Sequence, residues 1–238
     1  MEFIYKSNYP VITLEQKKLV PVKNFWSEQR PVLPQEVGVG SVCNHYLLED
    51  KLYLEDRAYF VFADFEAGTK IQVVKTGYSL AVITLSDKGY LGERKDTSGP
   101  QIQEVLPKVV KIAWSQRYVI ADDPLCLRHL LARLIYFLGV DLIITTGGTG
   151  VYERDITPEI TLQFLEKRLP GFEQAMLIKS LAKTPHAVIS RAVCGLAQKT
   201  LLINLPGSLK AVCENLEAIL PALNHCLAKI HGDPTDCA

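Results

Sequence analysis

The 238-residue chain has no surplus of either charge. Its 26 Lys and Arg balance 26 Asp and Glu, which argues against broad binding of nucleic acid or other polyanions and leaves room only for a local basic pocket. No apolar run reaches the roughly 18 residues that a membrane span needs. The opening MEFIYKSNYP lacks the basic start and apolar core of a signal peptide. The six cysteines, Cys43, Cys126, Cys194, Cys213, Cys226 and Cys237, include no CxxC pair, and the five histidines share no metal-like spacing, which argues against a zinc site. Thiols scattered through apolar segments read as buried and reduced, which predicts a cytoplasmic protein with no nucleic-acid or membrane partner. Also missing are the GxxxxGK[ST] phosphate loop and the GxGxxG dinucleotide fingerprint. No Cys-His or Ser-His arrangement suggests covalent catalysis.

What is present divides near Thr76-Gly77. Residues 1–76 contain short β-like pieces such as KLYLEDRAYFVFADF, broken by Pro10, Pro21, Pro31, Pro34, Gly38, Gly40 and Gly68, and predict a small β-rich domain of unassigned role. Residues 77–238 alternate strand and helix patterns. SLAVITL and VDLIITT are continuous apolar runs, as expected of strands covered on both faces, and RYVIA reads as another strand. SGPQIQEVLPKVVKIA, DPLCLRHLLARLIYFLG, TPEITLQFLEKRL and GFEQAMLIKSLAKT read as helices, and SLKAVCENLEAILPALNHCLAKIHG as a long final one. AVISRAVCGLAQKTLLIN reads as strand, turn and strand. The expectation is a three-layer α/β/α domain with a mostly parallel sheet, preceded by the small β-rich unit.

Ligands of open α/β sheets bind beyond the carboxyl ends of the strands, and three loops fall there. TLSDKGYLGERKDTSGP offers Thr84, Ser86, Asp87, Ser98 and Gly99. TTGGTGVYERDITPE offers Thr146, Gly147, Gly148, Thr149, Gly150, Arg154, Asp155, Thr157 and Glu159. NLPGSLKA offers Pro206, Gly207 and Ser208. Each combines glycine, which admits close backbone approach, with a hydroxyl N-cap candidate (Ser98, Thr157 or Ser208) at a helix start that can receive phosphate. Taken singly the residues have plainer readings. The glycines could serve only a tight turn, Asp155 could serve only the next helix N-terminus, and Asp87 could hold its own loop. Arg191 could be an ion-pair partner.

Together, TLSD, SGP, TTGGTG with RDITPE, PG at Pro170-Gly171, ISR at Ile189–Arg191 and INLPGS resemble the molybdopterin adenylyltransferase family: the bacterial enzymes and the G domains of the plant and animal proteins, gephyrin among them. The likeness runs from Ser79 to Gly232. It implies a usually trimeric enzyme that joins molybdopterin to AMP, with ATP and molybdopterin as substrates and Mg²⁺ as cofactor, and a molybdenum-insertion enzyme as downstream partner. It implies Asp155 and Asp122 as catalytic and metal-binding carboxylates, and Ser190 and Arg191 on phosphate or pterin. Where the family has Pro-Asp-Glu, this chain has Ala121-Asp122-Asp123, so Asp123 stands as the alternative to Asp122. A nucleotide pyrophosphatase and a non-catalytic pterin-binding scaffold are the competing functions.

Overall fold

The computed structural model describes residues 2–5, 12–14, 17–21, 25–27, 30–31, 39, 41–43, 46–54, 57–62 and 70–234. Cys237, Pro10, Pro34, Gly38, Gly40 and Gly68 lie outside them. In the first part the described segments are strands β1 (Glu2–Tyr5), β2 (Ile12–Leu14), β3 (Lys17–Pro21), β4 (Phe25–Ser27), β5 (Arg30–Pro31), β6 (Ser41–Cys43), β7 (Tyr46–Leu54), β8 (Arg57–Phe62) and β9 (Lys70–Lys75). They follow the order β2-β3-β8-β7-β6-β9-β1-β4-β5 with antiparallel neighbours.

The second part is a six-stranded sheet ordered β11-β10-β12-β15-β14-β13. Its strands are β10 (Tyr78–Leu85), β11 (Ile112–Ile120), β12 (Leu142–Thr146), β13 (Lys167–Arg168), β14 (Cys194–Ala197) and β15 (Thr200–Leu205). The first four in that order run parallel, while β14 and β13 are antiparallel additions at one edge. β12 and β15 are buried along their whole length, and β10 is buried from Ser79 on. Successive side chains of a strand leave opposite faces, and the core splits accordingly. Leu80, Val82, Leu142, Ile144, Leu201 and Ile203 join one cluster, with Ile102, Val212, Leu216, Ile219 and Leu223. Ala81, Ile83, Ile143 and Leu202 join the other, with Leu127, Leu131, Leu134 and Ile160. The helices that cover these faces are α2 (Ser98–Val105), α5 (Pro170–Leu181) and α6 (Leu209–Ile230) on the first, and α3 (Pro124–Ala132) and α4 (Thr157–Leu162) on the second. A short helix, α1 (Asp87–Tyr90), follows β10.

Three helix expectations are corrected. The stretch from Ser98 to Ala113 stops being α-helical at Val105 and tightens through Leu106–Lys108, where Pro107 lacks the N–H that a continuing helix needs. Its last residues belong to β11, which starts at Ile112, earlier than the RYVIA reading. The Thr157–Leu169 pattern is helical only to Leu162, and Lys167–Arg168 pair with β14 instead, drawn there as Leu165 packs on the second core cluster and Glu166 N bonds Leu196 O. The helix after Asp123 turns into one π-helical turn at Arg133–Leu138, closed by Gly139 at φ 65°.

The two sheets touch at that π-turn. Buried Lys51 Nζ donates there to Phe137 O at 2.8 Å and Val39 N to Leu138 O at 3.1 Å, and beyond the turn Trp114 Nε1 of β11 donates to Glu49 O of β7 at 2.8 Å. Cys126, Cys194, Cys213 and Cys226 are free thiols, and burial pushes the Cys194 thiol well up. Among the described residues no helix is long and apolar enough to cross a membrane.

Candidate active site

Parallel pairing aligns Thr84 with Thr146 and Thr146 with Leu205, so the loops after β10, β12 and β15 leave the sheet at one level. Short hydrogen bonds lace them together. Ser98 Oγ donates to Gly207 O at 3.1 Å, Thr146 Oγ1 to Pro206 O at 2.7 Å, and Gly147 N to Leu205 O at 3.2 Å. Gly147 sits at φ 98°, and a Cβ there would stand 2.4 Å from Leu85 O. Gly148, at φ 64°, makes room for the Thr157 hydroxyl, which donates to Gly147 O at 2.9 Å. A left-handed pair packed this closely tolerates no side chain.

Two of the three hydroxyl caps are corrected. Thr97 and Ile156 occupy the N-cap positions of α2 and α4, without side-chain bonds. Ser98 and Thr157 instead begin those helices, Ser98 spending its hydroxyl on the loop after β15 and Thr157 on the start of its own loop. Only Ser208 caps as expected, accepting from Ala211 N at 3.3 Å. Ser86 caps α1 by accepting from Gly89 N at 3.1 Å.

A cleft of about 390 Å³ opens between these loops, lined by Thr84, Ser86, Ser98, Thr146, Gly147, Gly148, Gly207 and Ser208, with Arg94 and Lys95 for positive charge. Among the described residues three carboxylates line it, those of Asp96, Asp122 and Asp155. Asp122 and Asp87 bond each other's backbone, with Asp87 N to Asp122 Oδ2 at 3.2 Å and Asp122 N to Asp87 Oδ1 at 3.1 Å. Arg154 grips Asp87 with both terminal nitrogens, at 2.7 and 3.0 Å, and reaches Asp122 O at 3.3 Å. Asp87 and Arg154 therefore stand behind Asp122 and are not among the residues lining the cleft. Burial raises the Asp122 carboxyl above its ordinary range, and the charges of Asp87 and Asp155 push the same way. The Asp87 amide and Arg154 oppose them. Asp123 turns away from the cleft and caps α3, accepting from Cys126 N at 2.8 Å, and that bond holds its carboxyl below the ordinary range. Asp155 Oδ2 accepts from Tyr152 N at 2.9 Å. Asp122 and Asp155 thus bring two hard oxygen donors to one cleft, a set that fits Mg²⁺, which binds through one or two carboxylates plus phosphate oxygens and water. Among the described residues no group of three or more His, Cys, Asp or Glu is arranged to hold a metal by itself.

The remaining predicted residues lie on the far side of the glycine loop. Thr149, Gly150, Ser190, Arg191 and Pro206 line a second cavity of about 540 Å³, floored by Met176 and Leu177, with Ser180 and Asn215 beside them. Arg191 clasps the loop. Its Nε donates to Gly150 O and its Nη2 to Asp155 O, both at 2.5 Å, and its Nη1 pairs with Glu159. Glu159 faces a shallow hollow shared with Asp155 and Arg191. Gly99 lies under the first loop, where a Cβ would meet Asp96 Oδ2 at 2.4 Å. Asp96 is not among the residues expected from the sequence. A carboxylate two residues before an expected helix start is the signal that could have found it.

The family comparison agrees with this geometry. Residues 81–225 match a family model described as "Probable molybdopterin binding domain". A curated relative, the molybdopterin adenylyltransferase of Helicobacter pylori strain J99, is 39% identical over 155 residues, 65% of this chain and 88% of that protein. Gephyrin of Dictyostelium discoideum is 37% identical over 65% of this chain but only 23% of its own length. The crystal structure of the molybdopterin biosynthesis enzyme MoaB from Thermus thermophilus is similar at a TM-score of 0.60 and 41% identity, covering 67% of this chain and 99% of that one. The matched span starts within β10 and ends within α6, and takes in every loop around both cavities, so the chain belongs to the molybdopterin-binding domain family.

Proposed function

We propose that this chain acts in molybdenum cofactor biosynthesis as a molybdopterin adenylyltransferase, transferring AMP from ATP to the terminal phosphate of molybdopterin with release of pyrophosphate. The observation that carries this reading is the division of the predicted site into two cavities that share the Thr146–Gly150 loop. A transfer between two substrates needs two adjoining subsites whose reacting groups meet. The cleft with Arg94, Lys95, Asp122 and Asp155 suits the nucleotide phosphates. The second cavity, with its apolar floor and its Ser180, Ser190 and Asn215 amide and hydroxyl groups, suits a polar fused ring.

The attacking phosphate is already an anion at neutral pH, so no strong base is required. The P–O bond to pyrophosphate breaks as the new one forms, and catalysis consists of alignment and charge neutralisation. Asp122 and Asp155 would hold Mg²⁺, which supplies that neutralisation when bound. Gly147 and Gly148 hold the positive-φ bend that lets the loop pack against Leu85 and Thr157 at the edge of the cleft. Asp87 and Arg154 keep Asp122 turned toward the cleft, and Arg191 keeps the Asp155 loop in register. The enzyme works in the cytoplasm as a homotrimer and hands its product to a molybdenum-insertion enzyme. Residues 1–76 form a separate domain outside the family match, and 77–238 the catalytic one.

The test is mass spectrometry of products from molybdopterin, ATP and Mg²⁺. Wild type is expected to yield adenylylated molybdopterin, and Asp155→Ala to lower the rate about 100-fold or more through lost charge positioning. Pterin binding without product would leave a scaffold. ATP cleavage without pterin would make the protein a pyrophosphatase.

A further inference from the structure

Asp96 is the one cleft carboxylate among the described residues that the reaction leaves without a role. It lies two residues before α2, with its side chain only 10% exposed. One oxygen, Oδ1, accepts from Gly99 N at 3.0 Å, doing the capping work that Thr97 leaves undone. The other, Oδ2, accepts from Thr84 Oγ1 at 2.9 Å and stands 3.9 Å from Arg117 Nε. Around this knot Gly99 has no room for a Cβ, which would meet Asp96 Oδ2 at 2.4 Å, Arg117 Cδ at 2.8 Å and Thr84 Oγ1 at 2.9 Å.

A carboxylate beside polyanionic substrates raises their repulsion, so a purely electrostatic account of the cleft would leave this residue out. Both of its oxygens are instead engaged within the protein. Its bonds fasten the carboxyl end of β10, at Thr84, to the first turn of α2. The neighbouring Ser98 then fastens that turn to Gly207 in the loop after β15. Arg94 and Lys95, the cations lining the cleft, directly precede the knot.

We infer that Asp96 is a positioning residue for the transfer: its double hydrogen bond sets the first loop, with Arg94, Lys95 and Ser98, against the third. This rests on the transferase reading for its kinetic part and on geometry alone for the rest. Hydrogen bonding, not charge, carries the role. Asparagine at this position keeps an acceptor for Gly99 N, and its amide can donate to Thr84 Oγ1, because a threonine hydroxyl serves as donor or acceptor.

The test compares Asp96→Ala, Asp96→Asn, Thr84→Val and the Thr84→Val/Asp96→Ala double variant. Steady-state kinetics is run with molybdopterin and Mg-ATP, and amide exchange is followed without substrate. Asp96→Ala is expected to lower kcat about 100-fold with KM for ATP nearly unchanged, the cost of a displaced aligning group. The double variant should be no worse than Asp96→Ala alone, since both remove one tie. Exchange should accelerate about 10-fold at residues 86–99 in Asp96→Ala while α6 keeps its protection. Asp96→Asn should stay near wild type in both measurements. If Asp96→Asn is as slow as Asp96→Ala while exchange is unchanged, the charge acts on substrate and the inference fails. It fails equally if exchange rises throughout the chain, which would mark a general contribution to the fold, or if Asp96→Ala keeps wild-type kcat. Should wild type make no adenylylated product, the transferase reading falls, and the exchange comparison still decides whether Asp96 holds the loop.

Discussion

Asp122 carries opposite obligations. Burial and two neighbouring carboxylates raise its pKa, so its ionised form weakens the folded state. An acid whose folded pKa lies above its unfolded value contributes fully to stability below the ordinary value of 3.8 and withdraws that contribution as pH rises through the folded value. Asp122→Asn never ionises and keeps an acceptor for the Asp87 amide. It should unfold at a higher temperature than wild type at pH 7, with the difference vanishing below about pH 4, as scanning calorimetry across pH would show. The same variant should lose most product formation, since a group held charged against its environment is a common mark of a working site. Residue types and their order around the cleft are legible in the chain, down to the ambiguity between Asp122 and Asp123. Their division of labour is not. Asp123 caps α3 because it directly precedes the first turn, whose Cys126 amide has no acceptor within the helix, and that spends on the fold a carboxylate which residue identity alone leaves free for the site.

At the scale of elements, the helix starts differ from expectation for one physical reason. A hydroxyl near a helix N-terminus commonly caps its own helix, which is the local solution. Here Ser98 crosses to a carbonyl of the loop after β15 and Thr157 reaches back to Gly147 O at the start of its own loop, so loop closure outranks local capping. Thr157 shows what such a bond contributes. It is fully buried, and Thr157→Val would leave Gly147 O without its hydroxyl donor. The expected cost is about 1–3 kcal/mol, measured as a lower midpoint in urea. The truncated α4 has a similar origin: Leu165 packs into the second core cluster and Glu166 N bonds Leu196 O at 2.8 Å, which draws the chain toward the sheet edge. The long apolar strands, by contrast, are readable at once, because a strand covered on both faces needs no partner-specific information to announce itself.

For the whole molecule, the proposed trimer has a candidate surface. Ile178, Leu181, Val188 and Ile189 of α5 and the turn after it are exposed apolar side chains close together in the chain. Sedimentation equilibrium should return three times the 26.6 kDa chain mass, and Ile178→Asp should move the population toward single chains by placing a charge in the contact. The junction of the two sheets has no signal in the sequence. It depends on backbone carbonyls of a π-turn that accept from Lys51 and Val39, and neither the turn nor its partners has a sequence period.

By itself the sequence determined the parallel sheet, the placing of three glycine-rich loops at one edge and the family, because apolar runs, glycine spacing and residue order are local properties carried along the chain. Only the tertiary structure decided that those loops enclose two cavities, that Asp87 and Arg154 brace Asp122 from behind, and that Arg191 clasps the Asp155 loop. Those facts rest on contacts between residues 32 to 67 positions apart, and such contacts are set by which bonds the packed core leaves to be made.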